Sequence, residues 1–127
     1  MEAKQFLKTI KHIAIVGATT NHEKYGYKVF HRLNQLGYNT YPISPIYKEI
    51  DDILTYENLS QINKPIDLVV FVTAPKYTID YLHECLSLNI HNLWFQPHTY
   101  DMQVLDFVEE HSFNYYLNCI LVETEEN

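Results

Sequence analysis

The sequence predicts a three-layer α/β/α domain built on a doubly wound sheet of five parallel strands. Three observations carry this reading. Short, continuously apolar runs alternate along the chain with longer segments of helical period. The connections between successive runs are too long for hairpins, so the strands must return by crossovers and lie parallel. Finally, 127 residues that are 46 % apolar bury enough surface for one core and leave no room for a second, so residues 1–127 read as a single domain.

The elements follow in order. Ile13-Ala14-Ile15-Val16 is a buried first strand that ends at Gly17 and enters a polar loop. From Lys24 onward Tyr25, Val29, Leu33 and Leu36 recur at helical spacing, and Gly37 stands where a helix C-terminus is expected. Tyr38 to Ile43 alternates as a second strand, stopped by Pro42, Ser44 and Pro45. Residues 46–65 form a polar connection with at most a short helical turn around Asn58 to Ile62. Ile66 to Thr73 is the strongest strand, apolar on both faces as a central parallel strand must be. Pro75 opens a helix with Ile79, Leu82 and Leu86 as its inward stripe. Asn92 to Gln96 is the fourth strand, Val104, Leu105 and Val108 mark a helix, and Tyr115-Tyr116-Leu117 is the fifth strand. The expected strand order is 3-2-1-4-5.

Composition narrows the function classes. Seven cations against two carboxylates give residues 1–48 a charge of +5, and two cations against fourteen carboxylates give the remainder −12. A globally acidic chain repels nucleic acid but accommodates a small anion in its basic N-terminal part. No apolar stretch approaches the roughly 20 residues of a membrane span. Cys85 and Cys119 match no redox or zinc spacing and read as reduced thiols, consistent with a cytoplasmic protein. A homodimer is left open, and no partner protein is indicated.

In a doubly wound sheet the ligand crevice lies beyond the carboxyl ends of the strands. This rule selects Gly17, Ala18, Thr19 and Thr20 after the first strand, Ser44 and Pro45 after the second, Thr73 to Pro75 after the third, Gln96, Pro97 and His98 after the fourth, and Asn118 and Cys119 after the fifth. At the first of these, Gly17 allows close backbone approach, and the threonine hydroxyls join free helix N–H groups in holding an anion. Lys24 and Lys28 offer direct partners, and the helix dipole contributes on the order of 0.3–1 kcal/mol. Glycine occurs only at 17, 26 and 37, so neither a dinucleotide nor an NTP glycine fingerprint can be drawn. The second strand also ends without the acidic residue that an NAD ribose requires.

The ordered set Ile15-Val16-Gly17-Ala18-Thr19, Lys24-Tyr25-Gly26-Tyr27-Lys28-Val29, Tyr41-Pro42-Ile43-Ser44-Pro45, Asp67 to Val72, Leu93-Trp94-Phe95-Gln96-Pro97 and Asn118 to Glu123 resembles the small CoA-binding domain proteins. Their Rossmann-like fold is shared with the N-terminal domain of the succinyl-CoA synthetase α subunit. The resemblance covers nearly the whole chain. It implies that coenzyme A is held by its nucleotide end, with the pyrophosphate over Gly17 to Thr20 and the adenosine near the end of the second strand. Tyr25 falls in a matching motif, and Lys48 is then a partner for the 3′-phosphate. His98 stands where the family often has glycine.

No catalytic constellation can be drawn around the seven histidines or two cysteines. The expected function is therefore a soluble CoA- or acyl-CoA-binding module without its own catalysis. The alternative is an NAD(P)-binding redox enzyme or sensor that uses the same crevice.

Overall fold

The computed structural model describes residues 1–125. Helix α1 (Ala3–Leu7) precedes strand β1 (His12–Val16), helix α2 (Tyr25–Gln35) and strand β2 (Asn39–Ile43). A small hairpin, β3 (Glu49–Ile50) and β4 (Ile53–Leu54), and a 3₁₀ turn at Leu59–Gln61 lead to β5 (Leu68–Phe71). The chain then runs through α3 (Pro75–Ser87), β6 (Asn92–Phe95), α4 (Met102–Glu110), β7 (Asn114–Leu117) and α5 (Ile120–Glu123).

The main sheet has five strands, all parallel, in the order β2-β1-β5-β6-β7. Fold class and parallel topology agree with the expectation, but the order differs. Counted along the main sheet the order is 2-1-3-4-5, with the third strand beside the first instead of the expected 3-2-1-4-5. Two physical reasons explain the difference. β5 is fully buried on both faces and needs neighbours on both sides. β2 contains Pro42, whose carbonyl faces away from β1 and accepts from Tyr56 N at 2.9 Å, so the missing N–H falls on the outer margin of the sheet. Proline is tolerated at such a margin, where no ladder hydrogen bond is lost, but not inside a central strand.

Strand alternation divides the core between two faces. Ile13, Ile15, Leu68, Val70 and Trp94 pack against Val29, Phe30 and Leu33 of α2, Leu7 of α1 and Ile120 of α5. Ala14, Val16, Val69, Phe71, Leu93 and Phe95 pack against Leu82 and Cys85 of α3 and Val104 and Val108 of α4. Burial pushes the Cys85 thiol up, so it stays a neutral packing group. Both cysteines are free.

Local chemistry sets the boundaries. α2 ends where Gly37 adopts φ 93°, with Gly37 N donating to Asn34 O and Tyr38 N to Leu33 O. α5, which the sequence reading leaves unassigned, is held by Arg32. That guanidinium donates to Leu121 O at 3.2 Å and Thr124 Oγ1 at 2.9 Å. The β3–β4 hairpin replaces part of the expected polar connection. Its strands are too short to show alternation, and its turn places Asp51 and Asp52 at φ 49° and 65° without the glycine that usually marks such a turn. Tyr27 of α2 donates to Asp51 Oδ2 at 2.7 Å and anchors the hairpin, and this bond to a carboxylate raises the tyrosine pKa.

Candidate functional site

The carboxyl ends of β1, β2, β5 and β6 open into one cleft of about 880 Å³. Its centre is the turn from β1 to α2. Gly17 sits at φ 98°, where a side chain would be strained, and a Cβ there would lie 3.0 Å from the Thr73 N and Val72 C atoms. Gly26, in the first turn of α2, passes so close that a Cβ would lie 2.3 Å from Gly17 O. Two glycines thus let β1, β5 and α2 converge on one point.

The amides of this turn divide into two sets. Gly17 N and Ala18 N both donate to Ile43 O, at 3.1 and 3.3 Å, and are spent on β2. Thr19 N, Thr20 N and the first α2 amides, Tyr25 N and Gly26 N, take no acceptor among the described residues. Of the Gly17 to Thr20 amides expected to hold an anion, those of Gly17 and Ala18 are therefore taken, and those of Thr19 and Thr20 are free together with the start of α2. The residue capping that helix is Lys24, in extended conformation and with no side-chain cap, so positive charge adds to the dipole where an acidic or hydroxyl cap would usually sit.

Beside this turn the segment after β2 bends back. Ser44 is buried, and its hydroxyl accepts from Ile46 N at 3.1 Å and Tyr47 N at 3.3 Å, which presents Ile46 and Tyr47 to the cleft. The Thr19 hydroxyl donates to Tyr47 Oη at 3.4 Å. The Thr19 and Thr20 hydroxyls and the charge of Lys24 hold the Tyr47 phenol below its ordinary range.

On the far side, Gln96 N donates to Phe71 O, and the chain turns through Pro97 and His98. Thr99 N returns to Gln96 O at 3.3 Å, with the Thr99 hydroxyl on the same carbonyl at 2.7 Å. Pro97 and His98, the latter at φ 73°, occupy the central positions of a type II turn, where glycine normally takes the second. His98→Gly is expected to relieve this strain and stabilise the fold by up to about 1 kcal/mol, a rise of a few degrees in melting temperature. Differential scanning calorimetry checks it, and a lowered melting temperature would contradict it.

Of the residues expected in the crevice, Gly17, Ala18, Thr19, Lys24, Tyr25, Ser44, Pro45, Thr73, Gln96, Pro97 and His98 form its wall. Thr20, Lys28, Lys48, Pro75, Asn118 and Cys119 do not. Lys28 places its ammonium 5.7 Å from the Tyr25 ring centroid, Lys48 is exposed before the hairpin, and Pro75 is the first residue of α3. Gln96 lines the cleft but has little left to offer a ligand. Its Oε1 accepts from Trp94 Nε1 at 3.2 Å and Ile120 N at 2.6 Å, and its Nε2 donates to Cys119 Sγ at 3.4 Å. The sequence reading missed Ile46, Tyr77 and Tyr81 as wall residues. Tyr77 and Tyr81 lie at four-residue spacing on α3, a spacing that could have placed them on one helix face.

Among the described residues no group of three or more His, Cys, Asp or Glu could hold a metal ion, and no helix is long and apolar enough to cross a membrane.

A cleft at the strand ends of a 2-1-3-4-5 parallel sheet defines a Rossmann-like α/β domain. A family profile described as CoA binding domain matches residues 11–125, and the chain belongs to that family. It is 32 % identical over 81 residues to an ADP-forming acetate–CoA ligase of Methanocaldococcus jannaschii, covering 64 % of this chain and 12 % of the ligase. It is 31 % identical over 74 residues to the α subunit of the ADP-forming acetate–CoA ligase II of Pyrococcus furiosus, covering 58 % of this chain and 16 % of the subunit. The chain thus aligns with a small part of each of these curated relatives. Among solved structures, a conserved hypothetical protein of Pyrococcus furiosus is 33 % identical with a TM-score of 0.86, covering 91 % of this chain and 100 % of that one. A hypothetical protein of Pyrococcus horikoshii is 28 % identical with a TM-score of 0.88, covering 94 % of this chain and 85 % of that one.

Proposed function

We propose that the cleft binds coenzyme A or an acyl-CoA by its nucleotide end, and that the chain is a cytoplasmic binding module with no reaction of its own. The observation that carries the reading is the uncapped start of α2. Free amides at Thr19, Tyr25 and Gly26 and the ammonium-bearing cap Lys24 meet in the wall of the cleft of a CoA-binding-domain chain, with the free amide of Thr20 next to them in the chain. Unpaired amides of this kind donate to the oxygens of a diphosphate. Tyr47, beside Thr19 in the cleft wall, offers a ring on which the base would stack. Two free thiols suit a reducing compartment.

The NAD(P) alternative has less support. The hydroxyl of Ser44, at the position where a ribose-binding acid would stand, is spent on two backbone amides.

Isothermal titration with CoA and, separately, with NAD and NADP tests the reading. CoA is expected to bind in the micromolar range, and Lys24→Ala to weaken it about three- to tenfold, with a loss that shrinks as salt rises. Binding of NAD or NADP with no heat from CoA would overturn it.

A further inference from the structure

The cleft is chemically divided. Its β1 side holds the charged wall residues, Lys24 and Glu23, together with the free amides. Among the described residues, the half built from the ends of β5 and β6 contributes no Asp, Glu, Lys or Arg to the wall.

Most polar side chains of that half are already engaged within the protein. The Gln96 amide is bonded to Trp94, Ile120 and Cys119. The Thr99 hydroxyl is on Gln96 O, and the Tyr81 hydroxyl donates to Glu57 O at 3.3 Å. Thr73, the Tyr77 hydroxyl and His98 are the remaining polar groups, and none carries a permanent charge. The surface left to a ligand is mostly ring and hydrocarbon. Tyr77 is 52 % exposed and shares the cleft wall with Tyr81 and Pro97, so its ring is left open there. Lys76 lies outside the wall, its ammonium 5.0 Å from the centroid of the Tyr77 ring.

A ligand that satisfies both halves has a polyanionic head and an uncharged, apolar tail. We propose that the β5–β6 half of the cleft receives the aliphatic acyl group of an acyl-CoA, so that the module prefers uncharged acyl thioesters to free CoA. This inference rests on the CoA reading of the same cleft. It concerns a different wall and makes its own demand, because a free thiol gains little from ring surface whereas each fully buried methylene adds about fourfold in affinity. A carboxylate at the end of the chain would lose its hydration there without a cationic wall residue to replace it.

Titration calorimetry with free CoA, butyryl-CoA and succinyl-CoA tests the proposal on the wild-type chain and on Tyr77→Ser. The tyrosine is half exposed, so the substitution leaves the core intact, which a thermal melt verifies. Butyryl-CoA is expected to bind roughly tenfold tighter than CoA, and succinyl-CoA no tighter than CoA. In Tyr77→Ser the ratio of butyryl-CoA to CoA affinity should fall to about threefold or less. Equal affinities for CoA and butyryl-CoA, a succinyl-CoA as tight as butyryl-CoA, or an unchanged ratio in the variant would each overturn the proposal while CoA binding stands. Failure of all three ligands to bind would remove the CoA reading itself, and this inference with it.

Discussion

Gly26→Ala is expected to destabilise the fold by about 2–3 kcal/mol and to weaken CoA binding at least tenfold. The direction runs against helix propensity, which on its own favours alanine over glycine by about 1 kcal/mol inside a helix. Packing decides the sign. The added methyl would lie 2.3 Å from Gly17 O and 3.2 Å from the Thr19 methyl, and the first of these is backbone that cannot swing aside. Relief requires α2 to move away from the β1 turn, and that turn presents the amides of Thr19 and Thr20. Gly37→Ala is the control, because nothing lies within 4 Å of its Cβ position and only the strain of φ 93° is added, about 1 kcal/mol. Urea denaturation of both variants, with CoA titration beside it, gives the comparison. A Gly26→Ala protein as stable as the wild type would show that the turn yields, and the geometric account of the site would fail.

The second large effect belongs to Gln96. It is 2 % exposed and joins the end of β6 to α5 through Ile120 N, to the indole of Trp94 and to the thiol of Cys119. Gln96→Leu keeps much of the volume and removes every polar atom. Trp94 Nε1 retains a bond to Asn118 O at 3.0 Å, but Ile120 N loses its side-chain acceptor in a buried setting. Leaving such a donor unpaired costs about 1–3 kcal/mol, and the rest of the network raises the expected loss to about 2–4 kcal/mol. Trp94 is the only tryptophan, so its fluorescence reports the site directly, and limited proteolysis reports the release of α5. An unshifted emission maximum together with an unchanged denaturation midpoint would refute the role given to Gln96.

What the sequence made legible follows from the range of the forces involved. The five long strands and three long helices are written in local periodicity, and Gly37 and Pro75 mark helix ends by their own backbone constraints. The crevice was legible because strand ends are countable once the strands are. The strand order was not, since it depends on which margin of the sheet can tolerate Pro42, and the partner there is Tyr56, fourteen residues along the chain. The β3–β4 hairpin was hidden because two aspartates take a left-handed turn usually marked by asparagine or glycine. By its position after the fourth strand Gln96 reads as a ligand-facing amide. Only its distance from Ile120 shows that it belongs to the C-terminal segment.

One carbonyl has a thermodynamic corollary. By taking two amides at once, Ile43 O fastens the beginning of the β1–α2 turn to the adjoining strand before any guest arrives. The host is a finished mould at that point, and the ordering entropy left to be lost on association falls mainly on the guest.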